Sequence, residues 1–243
     1  MATNTALALL RTAGEIVELP RFAFERLCSR LGRKTLLSYC VPGDGQGVLI
    51  IPGFLANDSY NASLISFLNS LNYDAIGWGL GFNLGPRHDK NLSMAFTVNR
   101  LYRRTGGKIT VVGHSLGGVY ARELARQFPD KIRSVISLGS PISATAGQGK
   151  NIANRLFERL NPEAIAPSER AVHAAPPPVL TTAVYSRSDP IVYWRNAMQR
   201  NGHDFCENIA VFGSHCGMTG NLAVWYLLAD RLTLKEGEWR QFD

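Results

Sequence analysis

Three polar residues stand where their types and order could do chemistry. In the stretch ITVVGHSLGGVYARELARQF, Ser115 lies between a β-branched run, 109–112, and an apolar recurrence at Tyr120, Leu124 and Phe128. The first pattern suits a buried strand and the second one face of a helix. Asp189 follows the run VLTTAVYS, and His215 follows NIAVF. A hydroxyl, an imidazole and a carboxylate are the parts of nucleophilic acyl transfer. The imidazole takes the hydroxyl proton, and the carboxylate holds the imidazole in the right tautomer. Gly113 and Gly117 flank the serine, in the pattern Gly-x-Ser-x-Gly. A side chain on either glycine would strike the adjoining strand or helix at so sharp a corner. The corner also aims the first amides of the following helix, including that of Leu116, at a reacting oxygen.

Such a site needs elements to carry it, and the chain supplies an alternating series. Helices are expected at 5–18 and 21–31, then a strand in TLLSYCVP and a buried one in GVLIIPG. A helix at 59–71, a strand in YDAIGWGL and a helix at 91–104 precede the serine corner. After it come the strand IRSVISLGSP, an irregular stretch with a helix at 151–160, and the strand VLTTAVYSR. A helix at 191–200, the strand NIAVFG and a helix at 221–232 close the series. Short apolar strands alternating with helices predict an α/β fold with a mostly parallel sheet covered on both faces. Sites in such sheets lie beyond the carboxyl ends of the strands. Those ends present Pro52-Gly53-Phe54, Ser115, Asp189 and His215, in that order.

The other titratable residues fall elsewhere. Asp74, Asp130 and His203 precede strands, at the opposite end of the sheet. His114, next to the serine, is expected to pack or hydrogen-bond beneath the corner. His88 and His173 fall in loops.

A chain of 243 residues, 45% hydrophobic, can bury one sizeable core and reads as one domain. Lys and Arg outnumber Asp and Glu by 26 to 19, a formal charge of +7. The basic residues are scattered and not interleaved with aromatics, so nucleic acid is not an expected partner. No apolar run approaches the ~20 residues of a membrane span. The N-terminus has no basic region, and its apolar run, 6–10, is shorter than the ~7 residues of a signal core. A cytoplasmic chain without stable membrane insertion is expected. Cys28, Cys40, Cys206 and Cys216 show no metal-ligand spacing and are expected to be buried free thiols.

At IPGF, VVGHSLGG, SDPIV and GSHCGM the chain resembles the α/β-hydrolase family, in its lipase and esterase branch. The resemblance covers about 34–232, leaving 1–33 as a helical extension. It implies the α/β-hydrolase fold, with a short cap at about 142–178. It also implies a serine hydrolase of carboxylic esters, with Ser115 as nucleophile, His215 as base and Asp189 as its partner acid. The family's oxyanion turn falls on Pro52-Gly53-Phe54, so the amides of Phe54 and Leu116 would form the oxyanion hole. Many members carry His-Gly where this chain carries Pro-Gly. A serine at the corner separates the chain from the branches with an aspartate nucleophile. The implied partner is a small ester of short to medium acyl chain, with no metal and no cofactor. Acyl transfer to an alcohol, lactone opening and amide or thioester cleavage use the same three groups. A binding protein that merely keeps the fold would not need all three. Trp78, Phe82 and Trp194 border the expected cleft, as substrate contacts or as packing.

Overall fold

The computed structural model describes residues 2–86, 88–143, 156–157, 159–161, 175–200 and 202–243, with the backbone alone for 2–15 and 88–90. Among the described residues, six strands form one parallel sheet. They are β1 (Gly47–Ile51), β2 (Asp74–Gly77), β3 (Ile109–His114), β4 (Ile132–Leu138), β5 (Leu180–Tyr185) and β6 (Cys206–Ala210), in the order β2-β1-β3-β4-β5-β6. Every residue of β1 and β3 is buried. That is why these runs are continuously apolar rather than alternating.

The period of two along each strand sorts the core into two layers. Val48, Ile50 and Val112 face one way. They pack against Leu64, Phe67 and Leu68 of α2 (Asp58–Ser70) and against Trp225 and Leu228 of α5 (Leu222–Leu232). Phe67 and Trp225 stack with their rings 4.7 Å apart. Leu49, Ile51 and Val111 face the other way, onto Met94, Val98 and Leu101 of α3 (His88–Thr105) and Ala121 and Leu124 of α4 (Leu116–Gln127). All six strands run in one direction, so their carboxyl ends share one edge. Ser115, Asp189, His215 and the turn at 52–54 follow strands at that edge.

Three expectations about elements change. The two N-terminal helices and the first five residues of the strand expected in TLLSYCVP are one helix, α1 (Ala2–Tyr39). Pro20 lies inside it. A proline costs one helical hydrogen bond but need not end a helix, and here Glu18 before it and Arg21 after it both bond to the rest of the fold. Leu36, Leu37 and Cys40 pack against the layer of α2 and α5. Their i, i+1, i+4 spacing is helical, and a short apolar run does not by itself distinguish strand from helix. The helix expected at 191–200 is reduced to one 3₁₀ turn, Trp194–Asn196. The carboxylate of Asp189 takes the amides of Ile191 and Val192, both at 2.8 Å, and holds the segment as a loop. The last strand begins at Cys206 and ends at Ala210, because β5 offers partners only from Thr181 to Tyr185.

The cysteines are free, and half-buried rather than buried. The expected cap and its helix at 151–160 lie largely outside the described residues; Leu156, Phe157, Arg159 and Leu160 are helical. Among the described residues no helix is long and apolar enough to cross a membrane, and no His, Cys, Asp and Glu group could hold a metal ion.

Candidate active site

Ser115 is the N-cap of α4 and has φ 52° and ψ −122°. A non-glycine residue with positive φ outside the ordinary basins is strained, and such strain persists only where the surroundings enforce it. Here they do. The Ser115 amide extends the sheet ladder to the Leu138 carbonyl at 2.8 Å, and its own carbonyl accepts from Gly118 at 3.0 Å. A Cβ on Gly113 would overlap the Gly117 carbonyl, and one on Gly117 would overlap the carbonyls of Ile51 and Pro52. The glycines flanking the serine are therefore a steric requirement of the corner.

The structure brings the three sequence-predicted groups together. Ser115 Oγ lies 3.1 Å from His215 Nε2, and His215 Nδ1 lies 2.7 Å from Asp189 Oδ2. A carboxylate only accepts, so Nδ1 carries the proton. Nε2 of the neutral ring then accepts from the serine hydroxyl. Asp189 and His215 side chains are almost wholly buried, at 1% and 6% exposure. Burial opposes a charge on the imidazole, but the charge and hydrogen bond of Asp189, with Glu18 behind it, outweigh this. They hold His215 above its ordinary value.

His114 lies beneath, its ring 5.0 Å from that of His215. Its Nε2 donates to the His215 carbonyl at 2.9 Å, which fixes its tautomer. Burial first, then the neighbouring His215, push His114 down to about 3. It stays neutral.

The turn after β1 meets the serine corner closely. A Cβ on Gly53 would stand 3.0 Å from both the Ser115 Cβ and His114 Nδ1. Glycine is needed there to let the backbone approach. This turn carries Phe54, and Leu116 opens α4 beside it. Asn83, fully buried, braces the turn. Its carbonyl accepts from Leu55 at 2.7 Å, its amide donates to Ala56 at 2.8 Å, and its Nδ2 donates to Pro52 at 2.8 Å. Nothing in FNLG marks this asparagine in the sequence, since its partners lie some thirty residues earlier.

The remaining candidates separate. Trp78 is 1% exposed and packs in the layer of α3 and α4, with Nε1 donating to Gly81 at 2.9 Å. As a correction to the expected pocket wall, it is a core residue. Phe82 is exposed and lines an open groove with Phe22, Leu27, Leu55 and Tyr60. Trp194 stacks on Tyr185 at 5.7 Å and lies between Arg187 and Arg195, in the packing behind the Asp189 loop. Asp74 pairs with Arg104 at the amino end of β2, and His203 donates to the Pro177 carbonyl before β6. Both are remote from the serine edge.

Residues the sequence did not single out come from α1. Glu18, Arg21 and Glu25 bond to the loops that carry His215 and Asp189. From α2, the Tyr60 hydroxyl donates to the Cys216 carbonyl.

A single parallel sheet with helices on both faces, and a strained serine at its central strand end, define an α/β hydrolase. The chain belongs to the alpha/beta hydrolase fold family, which matches residues 48–170. Similar solved structures include the pyrethroid hydrolase PytH, at 16% identity and a TM-score of 0.53 over 77% of this chain and 97% of that one. One of the metagenome-derived lipolytic enzymes LipS and LipT is similar at 13% identity and a TM-score of 0.57, over 79% and 93%. Lipase B of Aspergillus fumigatus is similar at 16% identity and a TM-score of 0.58, over 79% of this chain and 53% of that one. At these identities the likeness is one of fold. No curated protein matches the chain.

Proposed function

We propose that this protein is a serine hydrolase of carboxylic esters with short to medium acyl chains. The observation that carries the reading is the continuous line from Ser115 Oγ through His215 to Asp189, at 3.1 and 2.7 Å, beginning on a strained serine. Membership of the hydrolase fold family supports it.

His215 Nε2 takes the Ser115 proton as Oγ bonds to the ester carbonyl carbon. The carbonyl oxygen becomes an oxyanion, which the amides of Phe54 and Leu116 receive. Loss of one such donor typically costs about 3–4 kcal/mol of transition-state stabilisation. The imidazolium returns its proton to the leaving alkoxide as the carbon–oxygen bond breaks, giving an alcohol and an acyl-serine. Water, deprotonated by the same imidazole, attacks the acyl carbon and releases the carboxylic acid and free serine. Asp189 keeps the imidazole in its tautomer and favours the imidazolium that forms in each step.

The test is a set of p-nitrophenyl esters of graded chain length, with a fluorophosphonate probe for the serine. Wild-type protein is expected to hydrolyse the shorter esters and to be labelled at Ser115. Ser115→Ala is expected to lose both while keeping its circular dichroism. Hydrolysis at the wild-type rate by the Ala variant would remove Ser115 from the nucleophile role.

A further inference from the structure

One face of α1 grips both loops that carry the partners of Ser115. Glu18, 4% exposed, uses its two carboxylate oxygens separately. Oε1 accepts from the His215 amide at 3.2 Å and Oε2 from the Cys216 amide at 2.9 Å. Arg21 donates to the carbonyl and hydroxyl of Ser188 at 3.0 and 2.8 Å, one residue before Asp189, and lies 3.8 Å from Glu18. Glu25 accepts from the Ser214 amide at 2.7 Å and its hydroxyl at 2.8 Å. The spacing 18, 21, 25 places all three on one side of the helix.

A neutral acceptor would satisfy the same loop amides without burying a charge. Buried carboxylates are costly unless the charge itself is used. We propose that α1 is the outer wall of the active site, with Glu18 as a positioning residue that holds the His215 loop in register with Asp189 and Ser115. The inference rests on the serine-hydrolase reading above.

The charge of Glu18 adds to that of Asp189 in favouring the imidazolium of His215. The other groups around the ring do not supply this. His114 on β3 is held neutral by burial, which also pushes the Cys216 thiol up to about 12 and raises Tyr60 of α2. Glu25 lies one residue further, against Ser214, and Arg21 offsets part of the Glu18 charge. Arg26, beyond them, is engaged with Ser63 and Tyr60.

Full-length Glu18→Gln, Glu18→Asp and Arg21→Met separate geometry from charge. Each is followed by p-nitrophenyl ester hydrolysis and fluorophosphonate labelling between about pH 5 and 9. Removing the carboxylate charge makes protonation of His215 harder. Glu18→Gln is therefore expected to move the acid limb of kcat/KM down by about half a pH unit or more, and to lower kcat about tenfold with KM little changed. Glu18→Asp keeps the charge but shortens the reach, so its limb stays in place while kcat falls. Arg21→Met removes the offsetting cation and moves the limb up, an opposite sign that partial unfolding would not produce. Wild-type limbs and kcat in both Glu18→Gln and Arg21→Met would overturn the proposal. If Glu18→Gln fails to fold, the upward shift in Arg21→Met still decides it. Wild-type protein that neither hydrolyses the esters nor labels at Ser115 would instead sink the hydrolase reading, and the proposal with it.

Discussion

At the scale of single residues, backbone strain and its neighbours explain the pattern Gly-His-Ser-Leu-Gly. Ser115 holds φ 52° because a ladder bond and a helix start fix it from either side. Asp189 is fastened by two amides through Oδ1, leaving Oδ2 for His215. Asp189→Asn keeps the shape but can present an amide N–H to Nδ1 and so stabilise the wrong tautomer. In serine proteases the same change costs ~10⁴ in kcat. A loss of several orders of magnitude with unchanged unfolding midpoint is expected here, measured on a soluble ester. The raised His215 gives a second expectation. In the proposed mechanism the base works only when neutral, so kcat/KM should rise with pH through a midpoint above the ordinary ~6.5. A pH–rate profile flat between about pH 6 and 8 would contradict it. The three groups at this scale were legible because each follows an apolar run ended by glycine or a polar residue. Asn83, Glu18 and Glu25 were not. A polar residue in a glycine-rich loop or on a helix reads as solvated until its distant partner is known.

Elements account for what the sequence misstated. The alternating strands and helices around β1, β3, β4 and β5 were readable because buried parallel strands are short and apolar and are ended by glycine, proline or a polar residue. The region 35–42 was not, because the same few apolar residues suit either period, and packing against α2 and α5 chose the helix as far as Tyr39. Asp189 likewise diverted 191–200 from helix to loop, a tertiary demand invisible to local pattern. One element end carries a clear expectation. Asn221 caps α5 by accepting from Ala223 at 2.9 Å and Val224 at 3.4 Å, and its Nδ2 donates to the Phe212 carbonyl at 2.9 Å. It therefore joins the helix start to the segment leading into His215. Asn221→Ala should lower stability by about 1–2 kcal/mol, read as a reduced urea midpoint at unchanged slope.

Across the whole molecule, pH should act on stability through the two neighbouring histidines, His114 and His215, with opposite signs. His114 titrates at about 3 in the folded chain and at ~6.5 when unfolded. Below ~6.5 the unfolded chain takes up a proton that the native chain refuses. The contribution of His114 is present above that pH and drains at about 1.4 kcal/mol per pH unit as pH falls towards 3. His215, raised, contributes below ~6.5 and loses it as pH climbs through its folded value. Urea midpoints of wild type and His114→Gln between about pH 7 and 4 should converge as the solution becomes acidic, because only wild type pays this term. A constant gap would contradict it. The grip of α1 on the histidine loop has a last consequence, for synthesis. Glu18 and His215 are 197 residues apart in the chain. A ribosome exposes the first long before it has made the second, and contacts so distant in sequence form late and slowly. The emerging polypeptide thus carries Ser115 through 100 further residues of synthesis without the imidazole that would activate it. On the proposed mechanism, competence waits until the segment of Glu18 and the segment of His215 meet.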